Sequence, residues 1–236
     1  MVKFLDLHIV PKIEDESSCR RMAELLALSG YQAIGLTVPT GLLRDKLKDL
    51  RECFQDSGIE VLLRADLTCS RREELLKLLR RFRPAFDIIG VRCTNHNLAL
   101  VAARDRRVDL IFFDSARRNV WLDDSIANVA NAAFELNLSI LLERGDRLTI
   151  TRLMKDVNIA LRHDMQMVLS SGGASPFAIR APVQLMAIAE VLGLTKQEAI
   201  DSVSTIPSRI ATRNVGRRSG TYVEEGVRTI AEFTEA

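Results

Sequence analysis

Apolar and β-branched residues gather in seven short runs along the chain, and the stretches between them repeat with helical periodicity. The runs are Lys3–Val10, Ala33–Val38, Ile59–Arg64, Phe86–Val91, Val108–Phe113, Leu138–Leu142 and Gln166–Leu169. Several are almost continuously hydrophobic, as strands buried on both faces must be. Between them, Leu43, Leu47, Leu50 and Phe54 recur at i, i+4, i+7 and i+11, and Leu153, Val157 and Leu161 at i, i+4 and i+8. These spacings each align one apolar helix face. Ser70 with Glu73, and Thr195 with Glu198, predict capping boxes. Gly30, Gly58 and Gly193 stand where helices are expected to end.

A strand recurs about every 25–30 residues, the length of a βαβ unit. No Asn-Gly or Asp-Gly hairpin signal separates the runs, so the sheet is expected to be parallel. An open doubly wound sheet and a closed α/β barrel both satisfy that pattern. A doubly wound nucleotide binder would carry G-x-G-x-x-G after its first strand, whereas this chain continues His8-Ile9-Val10-Pro11-Lys12. A TIM-like (β/α) barrel of seven strands is therefore favoured. The extra helices expected at its C-terminal end are Pro182–Leu192, Thr195–Ser204 and a short piece at Ser208–Arg213. Residues 1–213 read as one domain and 214–236 as a polar tail that frays.

Composition narrows the chemistry. The 236 residues are 47% hydrophobic and 27% charged, which excludes disordered and fibrous classes. The opening MVKFLDLHIV is too short and polar for a secretory or membrane segment, so a cytoplasmic protein is expected. Aromatics are only 5%, which argues against a surface of rings that stacks single-stranded bases. The four cysteines (Cys19, Cys53, Cys69 and Cys93) show no tight spacing and read as buried thiols.

At the C-terminal strand ends, where barrels place their chemistry, stand Asp6, His8, Thr37, Arg64, Asp66, Arg92, Asp114 and Glu143, followed by Ser170-Ser171-Gly172-Gly173. Asp66, Asp114 and Glu143 could ligate a divalent metal or act as acid and base. They could instead cap the following helices or pair with Arg64, Arg92 and Arg144, and that structural reading is preferred. Of three histidines, His163 ends a predicted helix, His96 opens one, and His8 alone sits at a strand end. Its H-x-H partner position is Val10, which cannot coordinate a metal. No catalytic or metal-ligating residue is therefore assigned. The Ser170–Gly173 loop has the small residues of a phosphate-holding nest, a weak motif that also suits an ordinary turn.

Net charge is only +2, yet 26 of the 33 cationic side chains are arginine. Arginine's planar fork suits bidentate phosphate contacts. The cations cluster at Arg71–Arg83, at Arg209–Arg218 and at Arg104–Arg118. Such clusters are either solvated helix faces or phosphate contacts.

Several blocks then stand out together: Phe4-Leu5-Asp6-Leu7-His8, RVDLIFFD at 107–114, AAFEL at 132–136, VLSS at 168–171, FAIRAP at 177–182 and GLTKQEAIDSVSTIPSRI at 193–210. In order and spacing they resemble the archaeal ribonuclease P protein component 3 family, from residue 2 to about 213. The resemblance implies a barrel like that of the polymerase-and-histidinol-phosphatase (PHP) metal hydrolases with the metal site lost. It implies a subunit that assists a catalytic RNA in removing the 5′ leader from precursor tRNA. Implied partners are that RNA, precursor tRNA through the holoenzyme, other ribonuclease P proteins, and protein component 2 in a heterotetramer with two copies of each. No cofactor is expected on this chain, and Mg²⁺ is expected for the RNA-catalysed step.

Under this reading the RNA-binding candidates are Arg180, Arg92 and Lys12 at one barrel end, then Arg71, Arg72, Arg80 and Arg81, and Arg213. The competing reading is a metal-dependent phosphoesterase using Asp6, His8, Asp114 and Glu143. A pure protein-interaction module is a third.

Overall fold

The structure, a computed structural model, describes residues 2–42, 44–113, 120–220, 222–224 and 227–228. Seven parallel strands follow one another in chain order: β1 (Phe4–Ile9), β2 (Tyr31–Thr37), β3 (Glu60–Thr68), β4 (Ile88–Cys93), β5 (Leu110–Phe113), β6 (Ala133–Asn137) and β7 (Met167–Ser170). An isolated parallel bridge joins Ile9 to Gly173 just past β7, and the Val10 amide donates to the Gly173 carbonyl at 2.9 Å. The sheet thus curls into a nearly closed TIM-like barrel.

Around it run α1 (Glu16–Leu28), α2 (Arg44–Gln55), α3 (Arg72–Phe82), α4 (His96–Arg104), α5 (Asp124–Asn128), α6 (Ser139–Glu143) and α7 (Arg147–Arg162). Three more helices follow β7: α8 (Pro182–Leu192), α9 (Lys196–Val203) and α10 (Thr205–Ser219). A small antiparallel pair, β8 (Tyr222–Glu224) and β9 (Val227–Arg228), comes last. No helix among the described residues is long and apolar enough to cross a membrane.

Local chemistry accounts for most boundaries. Asp15, Asn95 and Asp146 cap α1, α4 and α7 by accepting the amides of Ser18, Leu98 and Thr149. Thr195 and Glu198 form the expected box at α9. The Ser70–Glu73 box does not form: Arg71 is the N-cap of α3, and Ser70 instead donates its amide to Glu74.

Six of the seven predicted runs overlap observed strands. The run at Leu138–Leu142 does not, because it lies on α6 and the sixth strand is the preceding Ala133–Asn137. Ile140 is buried against the outer core, so that apolar stretch reflects a helix packed on the barrel. The last helix also exceeds expectation. α10 runs to Ser219 and buries Asn214 and Gly216, so the boundary read at residue 213 falls inside a packed helix.

Two hydrophobic clusters divide the interior. The larger lies between sheet and helices, while the smaller fills the lumen with Leu5, Leu7, Ala33, Leu62, Ile88, Leu110, Ala133 and Val168, closed from below by Ile210 and Ala211 of α10. Stepping two residues along each strand keeps the same face but changes its chemistry. Leu62 gives way to Arg64 and Asp66, Ile88 to Gly90 and Arg92, Ala133 to Glu135 and Asn137, and Val168 to Ser170. The lumen therefore has an apolar floor and a polar mouth.

Candidate functional site

The polar mouth centres on Arg64, whose side chain is completely buried. Its Nη1 and Nη2 donate to the two carboxylate oxygens of Glu135 at 2.8 and 2.6 Å, and its Nε donates to Asp66 at 2.7 Å. Nη1 also donates to the Leu7 carbonyl at 2.9 Å. This fork-to-carboxylate geometry is the strong, oriented kind. Gly90 makes room for it. A Cβ there would lie 2.5 Å from the Asp66 oxygen and 2.9 Å from Arg64 Nη2.

His8 lies between the same two carboxylates, with Nδ1 2.9 Å from Glu135 and Nε2 3.2 Å from Asp66. Burial and the nearby Arg64 charge both oppose a charged imidazole, but Glu135 and Asp66 outweigh them and raise the His8 pKa to about 9. Burial works against both carboxylates, yet Arg64 and then His8 hold Glu135 down to about 2 and Asp66 well below its ordinary value. Ser170 donates its hydroxyl to Glu135, and the Asn137 amide lies 3.2 Å from His8 Nδ1.

The remaining acid, Asp6, is wholly buried, and desolvation raises its pKa despite bonds from Ser171 and His8. Its carboxylate accepts the Ser171 hydroxyl and amide and the His8 amide. The Gly173 amide in turn donates to the Ser171 hydroxyl. A Cβ on Gly172, which has φ +62°, would lie 2.1 Å from the Asn137 oxygen. Ser170–Gly173 is thus buried, with the donors of Ser170, Ser171 and Gly173 bonded within the protein. These bonds close the barrel seam, so the phosphate nest expected from composition is not the role this geometry gives the loop.

Nor does the donor set suit a divalent cation. His8, Asp66 and Glu135 are the residue types that bind metals, but the Arg64 guanidinium already bonds both carboxylates and, with the His8 imidazolium, balances their charge. Among the described residues, no group of three or more His, Cys, Asp or Glu is arranged to hold a metal ion. Of the four residues in the phosphoesterase reading, Asp6 and His8 belong to this closed network, and Asp114 lies outside the described residues. Glu143 sits at the end of α6 rather than at a strand end, and its side chain lies outside the description. The other histidines serve α5: His96 lies 2.8 Å from Asp123, and His163 lies 2.8 Å from Asp124. Burial raises the thiols of Cys19 and Cys69 to about 11, in keeping with inert cysteines.

The cation candidates divide by position. Lys12 follows β1, Arg71 and Arg72 follow β3, and Arg92 is near the end of β4, so four of them share the mouth end. Lys12, Arg71 and Arg72 are exposed, while the half-buried Arg92 places its guanidinium 5.6 Å from the Phe112 ring centroid. Arg180 stands just before α8, held by local bonds. Its carbonyl accepts from the hydroxyl of Tyr31, the first residue of β2, and its guanidinium donates to the carbonyls of Phe177 and Ile179. Arg80 and Arg81 are exposed on the last turn of α3, towards the floor.

Arg213 is at the floor too, donating to the buried Asp109 at 2.8 Å. There Asp109 also accepts from Arg83, Asn214 and the Ile89 amide, and Arg218 pairs with Asp87 at 2.7 Å. Together these bonds fasten α10 to the barrel. Sequence reasoning missed Glu135 and Asn137, because the sixth strand was placed five residues late. A lone carboxylate inside the apolar stretch Ala132–Leu138 was the available signal.

A model of the RNase P subunit p30 family matches residues 3–219. The chain is 29% identical to ribonuclease P protein component 3 of Methanosarcina barkeri, covering 98% of this chain and 97% of that one. It is 26% identical to ribonuclease P protein component 3 of Methanothermobacter thermautotrophicus, with 98% and 97% covered. In three dimensions it superposes with a TM-score of 0.82, at 19% identity, on a chain from a cryo-EM structure of archaeal ribonuclease P with mature tRNA, covering 98% of this chain and 100% of that one. A histidinol phosphate phosphatase from Lactococcus lactis complexed with zinc, L-histidinol and phosphate shares the barrel at a TM-score of 0.55 and 15% identity, with 84% and 94% covered. From its third residue to the end of α10, the chain belongs to the RNase P subunit p30 family.

Proposed function

We propose that this chain is a non-catalytic protein subunit of ribonuclease P that anchors folded RNA through arginine and lysine at the barrel mouth. The chemistry of leader removal from precursor tRNA would then reside on the catalytic RNA and its bound Mg²⁺. One observation carries this reading. The mouth acids, Asp66 and Glu135, are bonded and balanced by Arg64 together with the His8 imidazolium, whereas Lys12, Arg71 and Arg72 stand exposed at the same end.

A carboxylate held by a buried guanidinium and kept ionised is a poor general acid. An exposed cation on a rigid barrel end is a suitable phosphate contact, because folded RNA offers phosphates and 2′-hydroxyls rather than readable base edges. The acid-free stretch of α3 that carries Lys77, Arg80 and Arg81 extends the same potential down one flank of the barrel. Protein component 2, in a heterotetramer with two copies of each chain, is the partner proposed to bring two such surfaces onto one RNA.

Reconstitution tests the reading. The protein is added with component 2 to the catalytic RNA, and leader removal is followed at moderate Mg²⁺. Stimulation that survives Glu135→Gln but weakens when Lys12, Arg71 and Arg72 become alanine is the expected result. Hydrolysis by the protein without RNA would overturn it.

A further inference from the structure

Between the barrel wall and α7 lies a cavity of about 240 Å³ that the anchoring role does not use. Its walls are the rings of Phe113 and Phe134 together with Leu153. At its polar end is Asp156, only 6% exposed, whose Oδ1 accepts no hydrogen bond among the described residues. The nearest cation among the described residues, Arg152 Nε, is 3.9 Å away, too far for a hydrogen bond. At the rim, Arg152 stacks its guanidinium 3.3 Å from the ring centroid of Trp121, which is 42% exposed. The cavity also touches Asn137, so it adjoins the barrel mouth.

A desolvated carboxylate with an unused oxygen needs donors. Burial raises the Asp156 pKa to about 7 even though Arg152 pulls the other way. Because Arg152 already balances the ionised carboxylate, a second cation would leave excess positive charge in an apolar pocket. A neutral group with two adjacent N–H donors would not. Among the four RNA bases only guanine presents such an edge, N1–H beside the N2 amine. Adenine and cytosine would turn a ring-nitrogen acceptor towards the carboxylate, and uracil flanks its single N–H with carbonyls. The cavity is larger than the roughly 150 Å³ void that holds benzene, and its ring-lined walls suit a planar heterocycle. Exposed Arg147, at the start of α7 and next to the pocket-lining Leu148, can meet a flanking phosphate.

We propose that this pocket receives one unstacked guanine from a single-stranded loop of the RNA, its Watson–Crick edge donating to Asp156 and its face packed among the aromatic rings. The inference rests on the RNA-anchoring reading and assigns it a base-specific contact.

Trp121 is the only tryptophan in the chain, so its fluorescence reports on the pocket directly. The full-length protein is titrated with the pentaribonucleotides UUGUU, UUAUU, UUCUU and UUUUU. UUGUU is expected to bind at least about tenfold more tightly than the others, the discrimination a good bidentate base contact provides. Asp156→Asn replaces one acceptor by a donor and should remove that preference while keeping the fold. It should instead favour edges with one donor beside one acceptor, so UUUUU and a pentamer with central xanthine should both gain relative to UUGUU.

Equal affinity for all four pentamers, no change in fluorescence with any of them, or tighter saturation by N-acetylarginine amide would each overturn the proposal. If the assembled proteins still hold the catalytic RNA in a salt-dependent way, the pocket fails while the anchoring reading stands. If that binding is absent as well, both fail.

Discussion

The two ends of the barrel both set arginine against buried carboxylates, but they use the pairing differently. At the floor, Asp87 and Asp109 are fixed at the starts of β4 and β5 and reach out to Arg213, Asn214 and Arg218, so the bonds tie one element to another. At the mouth, every partner comes from a barrel strand: Arg64 and Asp66 from β3, Glu135 from β6 and His8 from β1. The floor network fastens a helix. The mouth network fills a space inside the lumen where apolar side chains stop. Arginine-rich composition therefore has two internal structural uses here before any ligand is considered.

The largest expected effect comes from breaking the mouth. Arg64→Met leaves two buried carboxylates, Glu135 and Asp66, with only the His8 imidazolium between them and should cost about 3–5 kcal/mol by denaturant unfolding. Adding Glu135→Gln should recover part of that loss, since the penalty lies in the uncompensated charge. If Arg64→Met alone is neutral, the network is not the closed unit described.

At the floor, Arg213→Ala removes a charge-assisted bond from a side chain that is partly open to water. The expected cost is about 1–2 kcal/mol. Faster amide exchange confined to α10 would show that the damage is local, whereas uniform loss of protection across the barrel would contradict the separation of the two ends.

A smaller and pH-dependent effect distinguishes His8. Its pKa rises from 6.5 when unfolded to about 9 when folded, so the folded state binds the extra proton between those values. Its contribution is complete below about pH 6.5 and is lost as pH rises through 9. Titrating stability in His8→Gln should show a shallower decline over that window than the parent, and an identical decline would disprove the assignment. Asp156 has the same sign at lower pH. Its pKa rises to about 7, so Asp156→Asn should gain stability relative to the parent above neutrality.

The smallest effect on stability is expected on α3. Arg72→Ala and Arg80→Ala should change it by less than about 0.5 kcal/mol, because both side chains are exposed.

The fold was legible where period and punctuation agreed. Alternation of apolar runs with helical spacing located six strands, and Thr195 with Glu198 marked the start of α9 correctly. The sixth strand was misplaced because LSILL is more apolar than AFELN, although the latter forms the strand. Apolarity reports burial, and a short helix packed on a barrel is as buried as a strand. The same error concealed the site. Once Glu135 is read as loop, its pairing with Arg64 across the lumen has no geometric basis, and Arg64, Asp66 and His8 remain unrelated polar residues.

Arg180 and Arg213 have partners inside the protein that no sequence pattern announces. A single sequence does not distinguish an arginine turned towards solvent from one donating to a carbonyl or a buried aspartate, since both require the same side chain. Pocket residues such as Trp121 and Asp156 left no pattern either, because three-dimensional proximity across α7 and β6 does not repeat along the chain.

The central claim is that exposed cations at the mouth hold RNA electrostatically while the buried network beneath them takes no part in bond breaking. The most direct measurement is the salt dependence of catalytic-RNA binding by the assembled proteins, with and without Lys12, Arg71 and Arg72. Each phosphate contact removed should shallow the slope of log affinity against log salt by about one. A slope unchanged by the triple alanine variant would contradict the account.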